Sequence, residues 1–262
     1  MIVKELNAWL ESRYPAAAAE NWDNVGFLVG DDKKEVSHVF LALDLTAGVL
    51  EEAIQAGADM IITHHPMIFS GMKKINNHDF TGKKVLSLIQ HGIQYYAMHT
   101  NYDVLGMAEL SADYLKLDNR RVLSVTEDGE SGVQGIGRVG TLPRKMTLKE
   151  CAEFVKEAFA LKDVKIYGDL DRETELAAVC TGSGKSMVEE AAAAGAQVYI
   201  TGDIDHHTAI DAVEKGIALI DAGHYGTEYI FMDAMKQELE KAFPDLKISC
   251  AEVASPYTIL YA

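Results

Sequence analysis

The chain of 262 residues has little of several features that would assign it to a specialised class of protein. Its three cysteines, Cys151, Cys180 and Cys250, form no CxxC pair, which argues against a disulfide framework or a cysteine-based structural zinc site. No segment has the roughly 18 consecutive apolar residues of a membrane span. Positive charge is also scarce, because 24 Lys and Arg face 40 Asp and Glu, and the net charge of −16 disfavours nucleic acid as a partner. These absences predict a cytoplasmic protein that is not bound to a membrane.

The apolar segments that are present alternate between the periodicities of strands and helices. Short runs rich in Val, Ile, Leu and Ala predict six strands, at positions 37–44, 59–63, 93–98, 176–180, 197–201 and 217–221. Helical patterns lie between them, at positions 48–57, 83–91, 186–194 and 205–215. Such alternation favours an α/β fold with parallel-rich sheets covered by helices.

An internal repeat divides this pattern into two halves. The stretch EEAIQAGADMIITHHP at 51–66 aligns without gaps on EEAAAAGAQVYITGDI at 189–204 and matches it at eight of sixteen positions. We therefore predict two similar α/β halves, at 1–121 and 169–262, with the second completed by N-terminal elements. The stretch 122–168 reads as hairpin strands followed by one helix, and we expect it to form a small insert.

Histidines and acidic residues follow several of the predicted strands. His64 and His65 end one strand, and Pro66 limits its continuation, so both rings can reach the crevice at the strand's end. Two His-x-x-x-acid units, His99 with Asp103 and His224 with Glu228, follow later strands, and a helix starting at each histidine would bring the pair onto one face. Imidazole and carboxylate together are typical ligands of zinc, iron, manganese and nickel. Taken singly, each of these residues is better explained as a capping histidine or a surface acid, but together, at the ends of strands in matching halves, they favour a metal site.

Other polar groups are candidates for contacts with substrate. His206 and His207 fall where a helix is expected to start and either line the site or face solvent. The loop TGSGKS at 181–186 ends like a P-loop but has Val179 where the first glycine is required, so its amides are at most an anion site at a helix start. A small group of lysines is either a solvated loop or a grip for an anionic small molecule: Lys73, Lys74, Lys83 and Lys84.

Five motifs in order, ENWDNVGFLVG, THHPMIF, HTNYD, TGDIDHH and GHYGTE, resemble the Nif-three-like family, commonly labelled GTP cyclohydrolase 1 type 2 homologues. The resemblance spans nearly the whole chain and implies two α/β halves facing each other across a dinuclear metal site, in subunits that assemble as homohexamers. It implies two divalent ions per subunit, with Glu228 bridging them. The implied metal ligands are His64, His65, Asp103, His224 and Glu228, and His99 and His206 are then expected to act in catalysis.

The resemblance implies a metal-dependent hydrolase acting on a nucleotide-like or other phosphorylated small molecule, with GTP as one possible substrate. In such a mechanism one ion activates water, the other polarises the carbon under attack, and His99 or His206 moves protons. The alternative is a non-catalytic scaffold or metallochaperone in which the same ligands serve regulation or metal delivery.

Overall fold

The computed structural model describes residues 1–129, 132–252 and 255–260. Two compact units make up the chain: the first combines Met1–Tyr102 with Phe231–Ala254, and the second combines Asp103–Ile230 with Ser255–Ala262. Positions 130–131 of the predicted insert, and 253–254 and 261–262 of the predicted second half, lie outside the described residues.

The first unit is built on a five-stranded sheet with the order β1-β4-β3-β2-β11. Strands β2, β3 and β4 are parallel neighbours, β11 runs parallel to β2, and β1 runs antiparallel to β4. Every residue of the three central strands is buried, as their continuous apolar runs predict for a sheet covered on both faces. The strands are β1 (Gly26–Val29), β2 (His38–Ala42), β3 (Met60–Thr63), β4 (Gln94–Ala97) and β11 (Lys247–Cys250).

Helices of the first unit begin and end at recognisable capping residues. The side chains of Thr46 and Asp79 accept hydrogen bonds from the first turns of α2 and α3, and left-handed Gly57 and Gly92 end these helices. The helices are α1 (Val3–Arg13), α2 (Ala47–Ala56), α3 (Phe80–His91), the short α4 (Thr100–Tyr102) and α10 (Ile230–Ala242), whose first residue belongs to the second unit.

The second unit is built on a six-stranded sheet with the order β5-β6-β8-β9-β10-β7. Strands β8, β9 and β10 are parallel, whereas β5, β6 and β7 are each antiparallel to their neighbours. The strands are β5 (Asp118–Gly129), β6 (Gly132–Thr147), β7 (Lys165–Tyr167), β8 (Glu173–Ser183), β9 (Val198–Gly202) and β10 (Ala218–Asp221). The helices are α5 (Ala108–Tyr114), α6 (Leu148–Ala158), α7 (Val188–Ala193), α8 (His206–Glu214) and α9 (His224–Glu228).

The two sheets share one strand order. Reading from the antiparallel edge, β1-β4-β3-β2 in the first sheet corresponds to β7-β10-β9-β8 in the second. The repeated sequence falls on the helix–strand pairs α2–β3 and α7–β9, which occupy equivalent places in this order. The predicted pair of α/β units, with two sheets covered by helices, is therefore confirmed.

The structure divides the chain differently from the boundaries that the sequence suggested. Residues 122–168 do not form a separate insert, because β6 pairs with both β5 and β8 and so extends the second sheet. C-terminal elements complete the first unit, where β11 pairs with β2 and the Phe231 ring packs 5.3 Å from that of His64. The periodicity of a sequence identifies strands but does not say which strands pair. The pairing of β6 with β8 and of β11 with β2 therefore could not be predicted from it. None of the helices in the described part of the chain combines the length and the apolar composition that a membrane span requires.

Candidate functional site

The polar residues predicted to act together follow the carboxyl ends of the parallel strands in each unit. In the first unit, Asp44 follows β2, His64 and His65 follow β3, and His99 follows β4. In the second unit, Asp203 follows β9 and His224 begins α9, just beyond β10. The carboxyl ends of parallel strands lie at one edge of a sheet. Open α/β sheets bind their ligands in the crevice at that edge.

His64 and His65 are held in one defined orientation each. The Nδ1 atom of His64 lies 2.7 Å from the carbonyl oxygen of Met98, and Nδ1 of His65 lies 2.9 Å from a carboxylate oxygen of Asp44. Both partners are acceptors only, so the Nδ1 atoms carry protons, and Nε2 is the nitrogen of each ring that could bind an ion. The ring centroids are 5.0 Å apart, and His64 is fully buried.

His99 joins this histidine group. Its ring centroid is 5.5 Å from those of both His64 and His65, and its Nδ1 lies 3.0 Å from Asp23 Oδ1. The Asp23 carboxylate also accepts hydrogen bonds from the backbone amide and the hydroxyl of Thr100. Burial alone would raise the pKa of Asp23, but the hydrogen bonds from His99 and Thr100 hold it well below its usual range. Asp23 is therefore a permanent anion that fixes the His99 ring.

In the second unit, His224 lies between two carboxylates. Its Nδ1 is 2.7 Å from Asp203 Oδ2, and its Nε2 is 3.0 Å from Glu228 Oε2, one helical turn along α9. Burial would lower the pKa of His224, but the hydrogen bonds and charges of Glu228 and Asp203 raise it to about 9. The helix predicted from the His-x-x-x-Glu spacing is confirmed, and it brings both candidate ligand atoms within reach of one ion.

Gly182, at the end of β8, leaves the space that the Glu228 carboxylate fills. A Cβ atom at this position would lie 2.9 Å from Cδ of Glu228 and nearer still to its Oε1. The amide of Gly182 donates to the Thr227 hydroxyl, and that of Gly184 donates to the Thr201 hydroxyl. Threonine hydroxyls thus occupy two of the amides of the TGSGKS loop, and an anion site at the following helix start stays a prediction.

Asp103 lies on the wide turn of a helix. It opens a π-helical segment, Asp103–Met107, which follows α4 in the chain, and such turns are frequent at functional sites. Burial, with the charges of Asp103 and Glu228, raises the pKa of the Cys180 thiol to about 12. Both carboxylates thus lie near the same thiol, within the second unit.

All four histidines share one arrangement, with Nδ1 bound to an acceptor. Metal-ligating histidines almost always donate this second ring N–H to a carboxylate or a carbonyl, which fixes the tautomer and makes the free nitrogen more basic. The donor set suits a divalent transition ion, because His64, His65 and Glu228 offer imidazole nitrogen and carboxylate oxygen. The residues of each unit therefore fit a metal by their chemistry.

Comparison with known proteins decides the family. The profile of Duf34/NIF3 (NGG1p interacting factor 3) matches residues 1–256. The chain belongs to this family. The Duf34/NIF3 chain is 38% identical to a "GTP cyclohydrolase 1 type 2 homolog" of Clostridium acetobutylicum, over 98% of this chain and 96% of that protein.

Solved structures of relatives agree with the fold of this Duf34/NIF3 chain. A Staphylococcus aureus hypothetical protein superposes with a TM-score of 0.91 at 30% identity, covering 99% of both chains. The protein titled "Reduced HcgD from Methanocaldococcus jannaschii" superposes with a TM-score of 0.82, also at 30% identity, covering 96% of this chain and 98% of that one. The resemblance stated from the five sequence motifs is thus confirmed.

Two groups of sequence candidates lie outside these contacts. His206 and His207 are exposed in the first turn of α8, with their ring centroids 5.2 Å apart, and a catalytic role for His206 stays a prediction. Among the lysines, the Lys84 ammonium donates to the carbonyl oxygen of Leu45, 2.6 Å away, so this side chain already has an internal partner.

Sequence reasoning missed the groups that orient the histidines. Asp44 and Asp203 each follow a buried strand of their unit directly or by one residue, in the stretches HVFLALD and VYITGD. One signal could have identified Asp44 and Asp203. Each is an acidic residue just after a strand, and a neighbouring strand is followed by a histidine. The carbonyl of Met98, which holds His64, has no signature in side-chain sequence.

Proposed function

We propose that this Duf34/NIF3 protein is a dinuclear metal-dependent hydrolase. In this proposal His64, His65, Asp103, His224 and Glu228 would hold two divalent ions. Asp103 lies four residues beyond His99 in the chain, the same spacing that separates Glu228 from His224.

The observation that carries the proposal is the common state of the histidines, each of which has Nδ1 bound to an acceptor. Metal-ligating histidines almost always have their second ring nitrogen held in this way, which fixes the ring and makes the other nitrogen a better ligand. The names of relatives add support, because several are called GTP cyclohydrolase 1 type 2 homologs.

Divalent ions held by these residues would supply Lewis-acid chemistry, lowering the pKa of water and polarising the atom under attack. The chain itself contributes the groups that orient substrate and move protons. His99 fits the proton-transfer role, because the Asp23 anion at its Nδ1 fixes the imidazole ring in one orientation. His206 is the second candidate for this role, on the exposed first turn of α8.

An anionic substrate suits the charge that this proposal gives to the site. Two divalent ions bring about +4, Asp103 and Glu228 about −2, and neutral imidazoles nothing, which leaves about +2 at the ions. Within a screening length of roughly 8 Å, this local charge outweighs distant acids on a chain whose net charge is −16. We therefore propose a phosphorylated small molecule as the substrate, with GTP the first to test.

The test is a turnover screen of GTP, other nucleotides and phosphorylated metabolites, using metal-loaded and chelator-stripped protein. We expect hydrolysis by the loaded form alone, and its loss in His65→Asn. The control is His91→Asn, because His91 is also bound through Nδ1, to the carbonyl oxygen of Ser87, but is an exposed residue of α3. Tight metal binding with no turnover and no binding of GTP or inorganic phosphate would favour the scaffold or metallochaperone alternative.

We also propose a cytoplasmic homohexamer, in line with the family resemblance and with three cysteines that form no pair among the described residues. Light scattering of the purified protein tests the assembly: a mass six times that of the 28.7 kDa chain is expected, and a monomer would contradict it.

A further inference from the structure

Two large aromatic side chains stand exposed next to the histidine group. Trp22 is 61% exposed and Phe69 is 52% exposed, although each belongs to a class of residue that normally buries most of its surface. Trp22 precedes Asp23, and Phe69 lies five residues after His64, so both belong to the loops that carry the site. Exposed aromatics beside a site of polar groups are a feature of ligand-binding surfaces.

Both rings contact the same histidine. The Trp22 and Phe69 ring centroids lie 5.9 Å and 5.8 Å from that of His99, and their planes stand at 75° and 82° to the imidazole. His99 in turn lies 5.5 Å from His65. The two aromatic rings therefore border the histidine group at the imidazole that we assign to proton transfer.

Hydrogen bonds hold the loops that carry these rings. The Asn24 side chain donates to the carbonyl oxygen of Ile68, 2.6 Å away, and so ties the Trp22 loop to the residue before Phe69. Asp23 ties the same loop to His99 and Thr100. Rings on fixed loops lose little freedom when a ligand binds, so their contact energy is available for affinity.

We infer that Trp22 and Phe69 form an aromatic rim that holds a flat aromatic heterocycle, of the nucleobase type, beside His99. An aromatic face recognises a planar ring by stacking, which is worth roughly 1–3 kcal/mol per base and needs no charge. A sugar phosphate without a base has no flat face to offer. This inference rests on the proposed function, which supplies the reaction. It narrows the class of substrate from phosphorylated small molecules in general to those that carry a planar aromatic ring.

Binding of guanosine and ribose 5-phosphate to metal-loaded protein tests this rim without requiring turnover. Trp22→Leu and Phe69→Leu should each weaken guanosine binding by about fivefold or more, the lower end of what loss of stacking costs. Ribose 5-phosphate affinity and metal content should stay at their wild-type values. The control is Phe80→Leu, because Phe80 is 76% exposed but contacts Lys84 instead of a histidine in the described structure.

A second measurement uses the two tryptophans of the chain. Trp9 packs edge-on against Phe243, 5.5 Å between centroids, and Trp9→Phe leaves Trp22 as the one tryptophan, whose emission is read by excitation at a wavelength that tyrosine does not absorb. Guanosine should then quench the Trp22 emission, and ribose 5-phosphate should not.

Three results would overturn the inference: wild-type guanosine affinity in both leucine variants, equal loss of guanosine and ribose 5-phosphate, or no guanosine binding by the wild type. The inference would also be overturned if the leucine variants changed the oligomeric mass but bound guanosine as the wild type does. Trp22 and Phe69 would then form a contact between copies of the chain. If guanosine binding depends on the rim but the protein turns over no substrate, the rim is supported and the hydrolase proposal is not. Failure of the rim and failure of the proposed function are therefore distinguishable.

Discussion

Replacing Gly182 by alanine tests whether Glu228 is a metal ligand, because this change pushes on the carboxylate without removing it. Gly182 has φ of +66°, and an added Cβ would meet Glu228 Oε1 well inside 3.0 Å. The carboxylate must therefore retreat by about an ångström, and it is only 4% exposed, so little free space is open to it. The positive φ itself costs an alanine roughly 1–2 kcal/mol of stability.

The matched control for Gly182→Ala is Gly92→Ala. Gly92 has nearly the same φ, +68°, but nothing lies within 4 Å of an added Cβ. Backbone strain should cost both variants a similar amount, roughly 1–2 kcal/mol, in denaturant unfolding, and Gly182→Ala should lose more because it also displaces a buried carboxylate. Changing a group that merely orients a ligand typically costs about 10- to 100-fold in metal affinity, so displacing Glu228 should cost at least about 100-fold.

The assay is calorimetric titration of the stripped proteins with zinc or manganese. Gly92→Ala should bind the metal as the wild type does, and Gly182→Ala should not. Wild-type metal affinity in a folded Gly182→Ala protein would refute the reasoning, since it would mean that the position of Glu228 does not matter to the metal.

Three further changes have expected results that follow from the contacts described. Metal affinity should rise about tenfold per pH unit up to about pH 9 and then level off, because His224, with its pKa raised to about 9, must lose a proton to bind; a flat dependence of the dissociation constant between pH 7 and 9 would contradict this. Glu228→Ala should empty the site more completely than His99→Ala, which elemental analysis measures; the reverse order would invert the two roles. Burial, with the hydrogen bond and charge of Glu11, raises the pKa of Tyr96, so the folded state keeps a proton that the unfolded state releases above pH 10, and the free energy of unfolding falls as pH rises. Tyr96→Phe should remove about 1.4 kcal/mol per pH unit of that fall in denaturant melts, and an unchanged slope would count against this assignment.

The sequence was most informative where local pattern and tertiary role coincide. Strand β3 is a buried run that ends just before His64, and α9 follows from the four-residue spacing of His224 and Glu228, so both could be predicted. The repeat likewise identified α2–β3 and α7–β9 as equivalents. In each of these cases neighbouring residues carry the whole signal.

The remaining features depend on which distant segments meet. The pairing of β6 with β8 and of β11 with β2 joins residues far apart in the chain, and periodicity holds no record of such partners. The role of Asp44 depends on β2 lying beside β3, which brings its carboxylate to His65. The exposure of Trp22 is equally a property of the folded chain, because composition alone would place a tryptophan in the core.

The most direct test of the account is elemental analysis of the protein purified without added metal or chelator. We expect close to two divalent transition ions per chain, bound by His64, His65, Asp103, His224 and Glu228. A content near zero that zinc, manganese and iron(II) do not restore would contradict it.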